Sequence, residues 1–72
     1  MSKSVLIQEA RNIALNTATQ FGGNWHPAII DGEAVAITNT DDGMTVAFNF
    51  VDDMLALYQI PKGETDGIEL LH

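Results

Sequence analysis

The sequence predicts an α+β fold: an N-terminal helix packed on a three-stranded antiparallel meander, followed by a short second helix and a C-terminal arm. Two observations predict it. Apolar residues recur at helical spacing over residues 3–21, and two Asp-Gly pairs then separate short apolar runs. The 72 residues are 46 % hydrophobic, too high a share for a disordered acidic tail. We therefore expect residues 1–72 to form a single small domain.

The first helix is predicted over residues 3–21. Its apolar residues recur at spacings of three and four, which places on one face Leu6, Ala10, Ile13, Thr17 and Phe21. Ser2 or Ser4 can cap the first turn, because a serine hydroxyl accepts a hydrogen bond from a free backbone N–H group. Gly22-Gly23 is expected to end the helix.

Three strands are predicted next, over residues 28–30, 34–40 and 44–50. The pairs Asp31-Gly32 and Asp42-Gly43 are typical of two-residue hairpin turns, in which both central residues need positive φ. These turns predict three antiparallel strands in a meander.

The turn positions also predict the strand register. Val35 should face Ala28 in the first hairpin, and it should face Phe50 in the second, where Ile37 should face Phe48. A three-residue second loop would instead put Val35 and Ile37 on the other face from Phe48. With two-residue loops, one face is apolar, and we expect the helix to cover it.

Residues 52–60 are predicted to form the second helix. Asp52 and Asp53 suit a helix N-terminus, where the helix dipole favours negative charge, and Pro61 is expected to end the helix. The tail, residues 61–72, becomes apolar near its end. Three alternatives remain open for that end: an edge strand, a helical turn on the core, or an arm that binds a partner.

The charge distribution is strongly asymmetric. Residues 12–61 contain no lysine or arginine, and the formal net charge is -7. Such a chain repels nucleic acid and anionic membranes, so neither is an expected direct partner. A basic protein surface would instead be attracted over about a Debye length, ~8 Å at physiological salt.

The predicted partner-binding residues are Asp31, Glu33, Asp52, Asp53 and Trp25. The meander should bring the four carboxylates to one end of the sheet. Aspartate is also favoured in turns and at helix starts, which explains each position singly but not the absence of basic residues around them. Trp25 is either a cap on a small core or an anchor at an interface, where tryptophan is enriched.

Catalysis is not predicted. The chain has no cysteine, its two serines lie at the N-terminus, and it has only two histidines. No cofactor is expected. Residues 39–43 weakly resemble a calcium loop but lack its alternating ligands, so no metal site is predicted, although carboxylates that bind Ca²⁺ or Mg²⁺ stay a distant alternative. The N-terminal apolar run is too short for a signal peptide and no segment is long enough to span a bilayer, so a cytoplasmic protein is expected.

Two functions follow as hypotheses. The first is a non-enzymatic acidic module that binds a basic surface of another protein. Its most concrete form is an inhibitor that competes with DNA or RNA for a binding groove, as small phage-encoded anti-CRISPR and anti-restriction proteins do, an analogy of size and charge only. The alternative is a small structural or regulatory subunit that associates with itself, for example as a homodimer, through apolar surface.

Overall fold

A computed structural model describes residues 2–52 and 54–71 of the chain and contains one helix and one antiparallel sheet. The predicted α+β class is therefore confirmed. Along the chain the elements are α1 (Lys3–Phe21), β1 (His26–Ile30), β2 (Glu33–Thr40), β3 (Gly43–Val51), β4 (Met54–Pro61) and β5 (Ile68–Leu70). The five strands lie in the order β4-β3-β2-β1-β5. The prediction of three strands and two helices is wrong.

The helix begins and ends at the predicted residues. The side chain of Ser2 accepts a hydrogen bond from the backbone N–H of Val5 at 3.4 Å. At the other end, Gly22 has a φ of 74° and its N–H donates to the carbonyl of Ala18 at 2.9 Å. These two caps satisfy backbone groups that a helix end leaves free.

The helix packs on the small residues of the sheet. Ala10, Ile13 and Ala14 are buried against one sheet face, whose central residues are Ala34, Ala36 and Ala47. Methyl side chains let the helix backbone come close to the sheet at interior packing density. We call this face the helix face.

The opposite face, here called the open face, carries the bulkier residues. Its centre is fully buried and consists of Ala28, Val35, Ile37 and Val46. The edge strands contribute Ile60 and Ile68, which pack against this cluster. The expectation that the helix would cover Ile37 and Phe48 is therefore wrong. Both faces of the strands are apolar, so the period of two could not choose between them, and side-chain size decides instead.

The first hairpin has the predicted register. Ile30 pairs with Glu33 and Ala28 pairs with Val35. Asp31 and Gly32 have φ values of 52° and 78°, as a two-residue turn with both central residues at positive φ requires.

The second hairpin is displaced by two residues from the prediction. Ile37 pairs with Val46 rather than Phe48, and Thr40 pairs with Gly43. The predicted pairings of Ile37 with Phe48 and of Val35 with Phe50 are wrong, but a shift of two leaves every side chain on its predicted face.

Gly43 explains the displacement. It is the first residue of β3 rather than a turn residue, and it also pairs with Pro61 of β4. A Cβ atom there would overlap the carbonyl oxygen of Ile60 and lie 2.9 Å from the amide nitrogen of Lys62. Glycine at this position therefore serves close backbone approach. Asp41 and Asp42 connect the two strands.

The predicted helix over residues 52–60 is the strand β4. Val51 pairs with Met54, so Asp52, with a φ of 50°, belongs to a tight connection between β3 and β4. Leu57 pairs with Ala47 on the helix face, whereas Tyr58 pairs with Val46 on the open face. Because both faces of β4 carry apolar residues, its sequence lacks the alternation of apolar and polar residues that identifies a half-buried strand.

The C-terminal segment resolves into an edge strand, one of the three alternatives. Leu70 pairs with Ala28, and the N–H of Leu71 donates to the carbonyl of Pro27 at 3.1 Å. Lys3 at the start of α1 forms an exposed ion pair with Glu69 of β5, at 3.1 Å.

Candidate functional site

Three of the predicted carboxylates lie at one end of the sheet. Successive hairpins of a meander turn at alternate ends, so the β1–β2 and β3–β4 connections share an end. Asp31 and Glu33 belong to the first of these and Asp52 to the second. Asp41 and Asp42 lie at the opposite end. Asp53, the fourth predicted carboxylate, lies outside the described residues. We call the group Asp31, Glu33 and Asp52 the acidic end.

Two of these carboxylates, Asp31 and Glu33, influence the pKa of Tyr58 in β4. The pKa of Tyr58 is raised above its ordinary value, first by partial burial of the phenol and then by the negative charges of Asp31 and Glu33. A negative neighbour disfavours the phenolate, so it holds the proton on the hydroxyl. The carboxylates of the first hairpin thus act on a side chain that belongs to the edge strand at the other side of the meander.

A cluster of aromatic side chains lies on the open face. The ring centroid of Phe48 lies 5.6 Å from that of Tyr58 and 6.4 Å from that of Phe50, both in edge-on geometry. Phe50 is 69 % exposed and Tyr58 is 41 % exposed. Phe50 lies one residue before the end of β3, at the acidic end. A large aromatic ring exposed at the same end of a sheet as carboxylates offers both parts of a site for arginine or lysine, an anion to pair with and a ring face to stack on.

The helix adds a carboxylate that the sequence analysis did not single out. Glu9 lines a shallow groove together with Gly32 and Glu33, so it lies beside the first hairpin. The sequence spacing places Glu9 next to Leu6, three residues earlier on the helix, but it does not place either residue against a hairpin. Only the direction in which the helix crosses the sheet brings Glu9 to this end.

The basic residues, all of which are within the described part of the chain, leave these carboxylates unneutralised. Lys3 pairs with Glu69, and Lys62 follows β4 at the opposite end of the sheet. Arg11 lies in α1, and no ion pair joins it to a described carboxylate. The acidic end therefore keeps its negative potential.

Trp25 lies elsewhere. It precedes β1 at the end of the sheet opposite the acidic end, and it packs against the core cluster of the helix face. Its indole N–H donates to the carbonyl of Gly22 at 2.8 Å. This contact ties the indole to the helix C-terminus, so the structure does not bring Trp25 together with the carboxylates. Its partner-binding role stays a prediction.

A cavity of about 470 Å³ lies on the open face at the end opposite the acidic end. Its walls are largely apolar, with His26, Asn39 and Thr65 as polar members. Within residues 2–52 and 54–71, no three histidine, aspartate or glutamate side chains come together as a group that could hold a metal ion.

Comparisons with protein-family models, with curated proteins and with solved structures found no significant match to this chain. Across the described residues, no helix has the length and apolar character needed to cross a membrane.

Proposed function

We propose that this chain is a small, non-enzymatic, acidic binding protein whose acidic end docks on a basic surface of a partner protein. One observation carries the proposal: Phe50, whose ring is 69 % exposed, lies one residue before the end of β3, at the same end of the sheet as Asp31, Glu33 and Asp52. Carboxylates and an exposed aromatic ring thus lie at one end of the sheet. That combination matches a partner surface rich in arginine and lysine.

The two components have different roles in such a complex. Exposed carboxylates attract a basic surface from a distance, so they raise the association rate. The rings supply area that is desolvated on contact, where aromatic residues dominate binding energy. A partner arginine could pair with Glu33 while its guanidinium plane stacks on Phe50.

A basic surface of this kind is typical of a groove that binds DNA or RNA. We therefore propose that the chain is an inhibitor that competes with nucleic acid for such a groove in the cytoplasm, like anti-CRISPR and anti-restriction proteins in size and charge. The alternative of self-association rests on a different strand, β4, and is taken up below.

The test begins with capture of partners from a host lysate at low salt, followed by purification of the captured protein. Association and dissociation rates with that partner are then measured for the wild type, for Asp31→Asn with Glu33→Gln, and for Asp41→Asn with Asp42→Asn. Both double variants remove two negative charges, but from opposite ends of the sheet. We expect the first to slow association and the second to change it much less.

Competition completes the test. Nucleic acid that binds the partner should displace the wild-type chain, and raised salt should weaken the complex steeply. Equal loss from the two double variants would mean that only net charge matters. No loss from either would exclude the acidic end as the docking site.

A further inference from the structure

The two edges of the sheet differ in how they are protected. β5 is three residues long, and its Glu69 is paired with Lys3. β4 is eight residues long, and none of the described residues pairs with its outer edge. Natural proteins blunt such an edge with charge, proline or brevity. Met54–Pro61 has no charged residue, and its proline is the last position.

The side chains of β4 are also left uncovered. The helix packs mainly on β1 and β2, so the helix side of β4 extends beyond it. Met54, Leu57 and Tyr58 are 60 %, 43 % and 41 % exposed. Leu57 lies on the helix face and Tyr58 on the open face, so apolar surface borders the free edge on both sides. A strand added here would bury both.

The charges that flank β4 indicate that the added strand is β4 of a second copy of the chain. Asp52 precedes β4 and Lys62 follows it, each five residues from Leu57. When two copies of β4 pair antiparallel with Leu57 opposite Leu57, the end of β4 next to Asp52 in one copy meets the end next to Lys62 in the other, twice. A shift of register separates these pairs. Two chains of net charge -7 otherwise repel each other, and this strand is where they meet with complementary charge.

We propose that the chain forms a twofold-symmetric homodimer in which the two β4 strands pair antiparallel around Leu57 and join the sheets into one of ten strands. Ala56 then lies opposite Tyr58 across the interface. The two acidic ends point to opposite ends of the joined sheet. The dimer does not rest on the proposed docking function, since it uses the edge of β4 rather than Asp31, Glu33 or Phe50.

Sedimentation equilibrium of the full chain tests the dimer directly. We expect the wild type to be dimeric and Leu57→Lys to be monomeric, because like charges directly opposite each other destabilise strand pairing. Leu15→Lys is the matched control, since Leu15 is 68 % exposed on α1, and it should stay dimeric. A wild type that is monomeric up to about 1 mM would overturn the proposal. So would a Leu57→Lys protein that is folded and still dimeric.

A second variant covers the case in which Leu57→Lys fails to fold. The chain has no cysteine, so Leu57→Cys can form a disulfide only with a second copy. Residues directly opposite in antiparallel strands have Cβ atoms ~4.5–5.5 Å apart, near the range that a disulfide spans. Mild oxidation should link Leu57→Cys into a covalent dimer much faster than Leu15→Cys. Equal rates would overturn the proposal.

The register has its own test. Lys62→Gln removes both symmetry-related charge pairs and should weaken the dimer about two- to thirtyfold at low salt, the size of two exposed ion pairs, and the effect should fade at high salt. Arg11→Gln removes the same charge from α1 and should leave the dimer constant unchanged or slightly altered. Equal effects of the two variants would overturn the pairing centred on Leu57. Failure of the docking experiment with Asp31→Asn and Glu33→Gln bears on none of these outcomes.

Discussion

Ile37 and Val46 lie opposite each other on β2 and β3, and both are buried on the sheet face that the helix leaves open. The chain thus has two apolar layers on one sheet, a thin one of alanines under the helix and a thick one of branched and aromatic residues on the other side. This division sets where the helix can lie. It also leaves the aromatic rings next to the acidic end.

The division predicts a larger loss of stability at one of two adjacent residues than at the other. Ala36→Leu adds bulk beneath the helix and should lower the free energy of unfolding by about 1–3 kcal/mol. Ile37→Leu keeps its volume on the open face and should cost less than about 1.5 kcal/mol. Urea denaturation followed by circular dichroism measures both. A larger loss for Ile37→Leu than for Ala36→Leu would contradict the helix placement.

Gly43 should be far more sensitive to substitution than the glycines that lie in turns. A Cβ at residue 43 would overlap the Ile60 carbonyl, and both neighbouring groups are backbone, so the β3–β4 pairing must shift. We expect Gly43→Ala to cost ~3 kcal/mol or more, among the largest losses for a single substitution. Gly63→Ala is the control. Gly63 has a φ of 94° with nothing within 4 Å of the added atom, so it should cost only the left-handed strain of about 1–2 kcal/mol.

Local signals predicted α1 and the first hairpin correctly. The helix has caps and a 3.6-residue period, and Asp31-Gly32 meets the demand for positive φ. Asp42-Gly43 carries the same dipeptide, but a contact with β4, remote in sequence, takes the glycine out of the turn. β4 itself was misjudged because Asp52 resembles a helix start and because both faces of the strand are apolar. Non-local packing therefore decided the outcome at Asp42-Gly43 and in β4.

The candidate site was predictable only where it depended on the order of the hairpins. Asp31, Glu33 and Asp52 share an end in any meander, whether or not residues 52–60 are helical, so that part depended only on hairpin order. The aromatic cluster was not predictable, because its formation requires residues 54–61 to be a strand rather than a helix. Only then does Tyr58 come beside Phe48.

Two residues of similar size on α1 should differ in how much their replacement by alanine lowers the free energy of unfolding, because one is buried and the other is exposed. Ile13 is 2 % exposed and packs in the core of the helix face, whereas Leu15 is 68 % exposed. Ile13→Ala should cost about 2–5 kcal/mol, the range for a deleted core side chain. Leu15→Ala should lie within about 0.5 kcal/mol of the wild type. Urea denaturation gives both values from the shift of the transition midpoint, provided that the dependence of the unfolding free energy on urea concentration is unchanged. A similar cost for the two substitutions would mean that α1 packs on the sheet by another face.

The titration of Tyr58 tests the acidic end without any partner. Tyr58 is the single tyrosine, so the ultraviolet absorbance of tyrosinate reports it alone. Burial and the charges of Asp31 and Glu33 raise its pKa in the folded state above the ordinary 10.0. An acid whose pKa is raised on folding contributes stability that is fully present below the unfolded value and is lost as the pH rises through the folded value. Asp31→Asn with Glu33→Gln should therefore lower the pKa of Tyr58 and reduce the loss of stability above pH 10.0.

The control for this titration is Asp41→Asn with Asp42→Asn, which removes equal charge at the far end and should leave the pKa of Tyr58 nearly unchanged. If both double variants lower that pKa equally, the carboxylates of the first hairpin do not lie near β4, and the acidic end loses its aromatic component.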